Sequence, residues 1–154
     1  MIEPKRPVRI LGFAGSLRQG SYNRALLRAA SELVPEGMLI EIFDLLQIPL
    51  YNADVEARGD PESVAAFKQA IRQADAVLMV TPEYNHGVPG VMKNAVDWAS
   101  RPPPKCGFEC KTGGYNWRLA RCHGNSPRPK PTTSGLRIHQ LLRDAAAGVA
   151  GFPS

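Results

Sequence analysis

Val8–Ala14 reads VRILGFA, residues 15–23 continue as GSLRQGSYN, and the chain then runs on through NRALLRAASELV. A short run that is apolar at consecutive positions belongs to a strand buried on both faces, not to a strand with one wet side. In the segment that follows, Leu26, Leu27, Ala30, Leu33 and Val34 recur at helical spacing, which predicts a helix over about 22–34. Pro35, Glu36 and Gly37 stop it. The unit is therefore strand, glycine-bearing loop, helix. Working outward, the pattern repeats: a strand over 38–43, a loop over 45–52, a helix over 61–74 with Pro61 at a first-turn position, a strand over 76–81, and a helix over 89–100 opened by Pro89. Strands that alternate with helices and are apolar throughout predict an α/β fold, a parallel sheet covered on both faces. The first strand is expected to lie between the other two.

Two loops carry the chemistry. In residues 15–23, Gly15 and Gly20 permit tight turns, Ser16, Ser21 and Asn23 offer side-chain donors, and Arg18 offers positive charge at the entry to a helix. That set suits a phosphate. It is neither a Walker loop nor a GxGxxG dinucleotide loop, and Ser21 acting simply as a helix cap is an equally good reading of the residue alone. The second loop, residues 81–90, reads TPEYNHGVPG at the carboxyl end of the third strand. Open α/β sheets bind ligands beyond the carboxyl ends of their strands, where the strand order reverses. In the flavodoxin-like order that point lies between the first and third strands, so both loops face one crevice. His86 taken by itself reads as a surface histidine.

Together, GSLRQGSYNR and TPEYNHGVPGVMKNAVDWASRP closely resemble the NADPH-dependent FMN reductase family, which includes quinone, chromate and azo-dye reductases. The resemblance covers residues 8–103. It implies a flavodoxin-like doubly wound sheet, FMN phosphate held by Ser16, Arg18, Ser21 and Asn23, and the isoalloxazine edge resting on Pro82, Glu83, Tyr84 and Asn85 through backbone groups. It further implies hydride passing from NADPH or NADH through FMN to a small-molecule acceptor such as a quinone or free flavin, with no dedicated catalytic acid or base. Members are usually homodimers or homotetramers.

The chain departs from that pattern near Pro102, Pro103 and Pro104. Residues 1–103 hold 11 Lys+Arg against 12 Asp+Glu, a balance of −1, whereas residues 104–154 hold 8 against 2, a balance of +6. The net charge of +5 therefore belongs to the second part, as do Cys106, Cys110 and Cys122. This divides the chain into a flavodoxin-like region, 1–103, and an irregular basic tail, 104–154, for which no regular strand and no shared metal is expected. The strand and GASPG-type flavin loop that relatives carry next are absent from the sequence as written, so the sheet is expected to be incomplete. Reading the reverse-translated tail one base later, with permitted synonymous codons, turns residues 104–129 into QSAVLNAKPAAIIGASPGAMGTARAQ, which restores both. A frame shift near residues 103–104 is the resulting expectation, and a non-functional remnant of a reductase is the alternative function. A zinc or nucleic-acid module built on Cys106, Cys110, Cys122 and His123 is a further alternative, but the spacing matches no common zinc pattern. The absence of a membrane-length apolar run and of a secretion-signal core sets the expectation of a soluble, cytoplasmic protein with no membrane or nucleic-acid partner.

Overall fold

The computed structural model describes residues 6–101 and the backbone of residues 117–122. Four strands, β1 (Val8–Ala14), β2 (Met38–Phe43), β3 (Ala76–Pro82) and β4 (Trp117–Cys122), form one sheet in the order β2-β1-β3-β4. Every neighbouring pair is parallel, with Ile10 opposite both Ile40 and Ala76. The helices are α1 (Tyr22–Glu32), the short α2 (Ala53–Glu56), α3 (Glu62–Gln73) and α4 (Gly90–Ala99). The fold is flavodoxin-like α/β, with β1 between β2 and β3 as the sequence predicts.

The alternation of side chains along β1 and β3 divides the core between the two faces. Ile10 and Ala14 of β1, with Ala76, Leu78 and Val80 of β3, pack with Leu27 and Ala30 of α1. Gly12 of β1 lies under α1, where a Cβ would stand 2.7 Å from Leu27 Cδ1. A side chain there would force the Leu27 and Ile40 side chains to shift. Leu11 and Phe13 project to the other face and pack with Phe67 and Ile71 of α3 and Met92, Ala95 and Ala99 of α4. Phe13 meets Phe67 edge-on at 5.2 Å and 81°. Each such fully buried ring contributes roughly 1.5–3 kcal/mol through removal of apolar surface from water.

Two expectations are corrected. The stretch 45–52 is not loop throughout: Leu45–Gln47 makes a 3-10 turn capped by Asp44, whose side chain accepts from the Leu46 N–H at 3.0 Å. More consequentially, the tail does contribute a regular strand. β4 runs parallel to β3 from Val77↔Trp117 to Pro82↔Cys122. An open edge presents a row of unpaired N–H and C=O groups, and in the segment WRLARC apolar Trp117 and Leu119 stand at alternate positions, a pattern a strand tolerates. Cys106, Cys110 and His123 fall outside the described residues, so the metal expectation lies there too. Among the described residues no helix is long and apolar enough to cross a membrane.

Candidate functional site

The two loops singled out in the sequence leave the sheet side by side. Ala14 and Val80 are register partners at the carboxyl ends of β1 and β3, and the Gly15 N–H donates to the Val80 carbonyl at 2.9 Å. Contact at this point is close enough to exclude any side chain: a Cβ on Gly15 would lie 2.7 Å from Thr81 Oγ1 and 3.1 Å from Met92 Cβ. Glycine is thus required by proximity and not by an unusual backbone angle. Thr81 itself is buried and donates to the Pro82 carbonyl at 3.0 Å.

From Gly15 the first loop passes through half-buried Ser16 and exposed Arg18 into a turn closed by the Ser21 N–H donating to the Arg18 carbonyl at 3.0 Å. Ser21 is the N-cap of α1, its hydroxyl accepting from the Asn23 N–H at 3.2 Å. The simpler reading of Ser21 is therefore realised, and it leaves the hydroxyl proton available to donate. Arg18 reaches over the exposed Tyr22 ring, its guanidinium carbon 6.0 Å from the centroid. Asn23 is the informative residue. It is 94% buried at the helix entrance, and its Oδ1 has no hydrogen-bond partner among the described residues. An orphaned buried amide oxygen costs about 1–3 kcal/mol. A half-turn of the side-chain amide exchanges that oxygen for an NH₂ donor, and a donor beside the amide-rich first turn of a helix suits an anion.

The second loop leaves β3 at buried Pro82 and half-buried Glu83, then reverses through exposed Tyr84, Asn85 and His86. Tyr84 and Gly87 exchange both backbone hydrogen bonds, at 3.0 and 2.9 Å, and Asn85 and His86 hold φ of +50° and +60°. This is a two-residue turn of the type that needs positive φ at both central positions. Neither the Asn85 N–H nor the His86 N–H finds a backbone partner among the described residues. The His86 imidazole is fully exposed, with Nδ1 3.9 Å from Glu83 Oε1.

All eight residues expected at the site thus lie beyond or at the carboxyl ends of the neighbouring strands β1 and β3, with Ser16, Arg18 and Ser21 on the first loop, Asn23 in the first turn of α1, Pro82 at the end of β3, and Glu83, Tyr84 and Asn85 on the turn that follows it. Sequence reading missed a second concavity beside them. Between α1 and the end of β2 lies a cleft of about 180 Å³, lined by Ser16, Arg24, Arg28 and Asp44 over an apolar floor. Also missed is how α4 holds the 48–51 segment: Asn94 Nδ2 and Trp98 Nε1 both donate to the Pro49 carbonyl at 2.8 Å, and Asn94 Oδ1 accepts from the Tyr51 N–H at 2.8 Å. The Tyr51 hydroxyl donates to Glu56 at 2.6 Å, which raises the phenol above its ordinary pKa.

An NAD(P)H-dependent FMN reductase of Pseudomonas aeruginosa is 58% identical over 96 residues, which are 62% of this chain and 52% of that protein. A quinone reductase of Escherichia coli is 45% identical over 98 residues, again 62% of this chain and 52% of the relative. The chain spans about half the length of these relatives. Among solved structures, the flavoenzyme NAD(P)H:(acceptor) oxidoreductase FerB of Paracoccus denitrificans superposes with a TM-score of 0.70 at 24% identity, covering 93% of this chain and 96% of that one. At that identity the likeness speaks to fold alone. The model of the family described as NADPH-dependent FMN reductase matches residues 8–119. The chain therefore belongs to the NADPH-dependent FMN reductase family.

Proposed function

We propose that this chain binds FMN in the crevice between the β1–α1 loop and the turn after β3, and serves as an NAD(P)H oxidoreductase acting on a small acceptor such as a quinone or free flavin. The observation that carries the proposal is the buried Asn23 amide at the entrance of α1, whose Oδ1 has no partner among the described residues, one strand away from a turn whose two central backbone N–H groups make no backbone hydrogen bond among those residues. When bound, FMN supplies the redox chemistry, accepting hydride equivalents from a nicotinamide and passing electrons to the acceptor. The protein's part is to bind and orient. Ser16, Ser21, Asn23 and the amides of the first turn of α1 hold the phosphate, and Arg18 adds charge from the solvent side. Backbone groups of Pro82, Glu83, Tyr84 and Asn85 hold the ring edge, which is why exposed side chains there are compatible with a specific site. Assembly into dimers or tetramers is proposed on the family resemblance alone.

The test is NADPH oxidation by the purified full chain with a benzoquinone acceptor, with and without added FMN. Flavin-dependent turnover that falls at least tenfold in Asn23→Leu is expected, since charge-assisted hydrogen bonds to an anion are worth about 1.5–3 kcal/mol. Absence of turnover at saturating FMN would overturn the activity. A second reading is favoured by the step in charge at residue 104: the tail is a frame-shifted product, and the chain is a remnant of a working reductase. Sequencing the coding DNA around codons 100–155 decides this. An intact family sequence one base out of register is expected, and a shifted frame with no strand and no GASPG loop would reject it.

A further inference from the structure

The cleft beside the flavin loop has a charge arrangement that the FMN reading does not use. Arg24 and Arg28 stand one helical turn apart on α1, and both line the cleft. Like charges at this spacing repel, so a carboxylate partner is expected for each. Arg24 has one, reaching Asp44 Oδ2 at 3.1 Å, while the other oxygen of Asp44 is occupied by the Leu46 N–H. Arg28 makes no ion pair and no side-chain hydrogen bond among the described residues. The floor beneath is apolar, with Leu27 and Leu45 almost completely buried. At about 180 Å³ the space is well below that of a whole cofactor site, roughly 300–1,000 Å³, and suits one phosphorylated sugar. Ser16 belongs to the β1–α1 loop and also lines this cleft, so the cleft adjoins the proposed flavin crevice.

We propose that this cleft receives the 2′-phosphorylated ribose of NADPH, with Arg28 as the principal phosphate ligand and Arg24 as the second, and that it selects NADPH over NADH. The two nicotinamide cofactors differ by that one phosphate. A free guanidinium beside an apolar floor binds the dianion in the fork geometry that favours phosphate, and Asp44 remains close enough to accept from a sugar hydroxyl. The inference rests on the oxidoreductase reading for the presence of a nicotinamide cofactor, and its test is a binding measurement that needs no turnover.

Calorimetric titration of the full chain with 2′,5′-ADP, 5′-AMP and inorganic phosphate separates the cases. The expected result is that 2′,5′-ADP binds at least about tenfold more tightly than 5′-AMP, as a charge-assisted phosphate contact requires. Arg28→Ala should erase that difference, Arg24→Ala should reduce it, and Arg28→Ala should bind FMN as the parent does. Equal affinity for the two nucleotides overturns the proposal, as does a preference that survives Arg28→Ala. Inorganic phosphate displacing 2′,5′-ADP at comparable concentration also overturns it, since the cleft would then be a general anion site. A chain that discriminates between the nucleotides but binds no FMN would fail the flavin reading alone. One that binds FMN without discriminating would fail only the present proposal.

Discussion

Lys68 is 2% exposed, lies on α3 among apolar neighbours, and holds both carboxylate oxygens of Asp60 at 2.7 and 2.8 Å. Its ammonium also sits 5.9 Å from the centroid of the buried Trp98 ring. Such a pair adds little net stability against an apolar replacement, but losing one partner strands a charge. Asp60→Ala is therefore expected to cost about 3 kcal/mol in urea unfolding, Lys68→Met to cost less than about 1.5 kcal/mol, and the double variant to track Lys68→Met. Additive losses in the double variant would show that the pair is not coupled. Val64, Phe67 and Ile71 recur at helical spacing in the sequence and form the buried apolar face of this helix, whereas nothing local marks Lys68 as buried with them. Burial of a lysine depends on a carboxylate from the preceding loop. The same limit hid Arg24, Arg28 and Asp44: a separation of 20 residues between Arg24 and Asp44 becomes a contact only because β2 lies beside β1.

At the level of elements, the legible parts were those whose signals are local. The apolar runs gave β1, β2 and β3 almost to the residue, and Pro61 and Pro89 marked the starts of α3 and α4. The four-residue α2 has no periodicity to read, and β4 alternates too imperfectly, with arginines at 118 and 121, to announce itself. The turn after β3 was legible as a loop but not as a hairpin, because its central residues are Asn85 and His86 and not the Asn-Gly pair that such turns favour. A left-handed conformation costs a residue with a Cβ roughly 1–2 kcal/mol, and asparagine bears it better than histidine. His86→Gly is accordingly expected to stabilise the protein by about 0.5–1 kcal/mol, the relief of strain less the added backbone entropy. The midpoint of chemical denaturation measures it. A destabilised variant would mean that the imidazole contributes more than the backbone strain costs.

For the molecule as a whole, the described residues place α1 on one face of the sheet and α3 and α4 on the other, and both candidate-site loops emerge where the chain order reverses between β1 and β3. β4 covers the edge of β3 from Val77 to Pro82. A chain ended at residue 103 should expose that edge and self-associate, giving higher light scattering than the full chain at equal concentration. Identical scattering would show that β4 protects nothing. If the tail is frame-shifted, FMN affinity should fall well below that of complete relatives, because the GASPG wall is missing, and restoring the frame should recover it. The central claim is that the unpartnered Asn23 amide belongs to a flavin phosphate site. Removing it should separate stability from binding, because an apolar residue of similar volume ends an unsatisfied burial while deleting a ligand. The most direct measurement is fluorescence titration with FMN, alongside thermal unfolding without ligand, of the parent chain and Asn23→Leu. The account predicts one FMN per parent chain, and in the variant an unchanged or raised melting temperature with FMN affinity reduced at least about tenfold. Equal FMN affinity in the two proteins, or a parent chain that does not bind FMN, would contradict it.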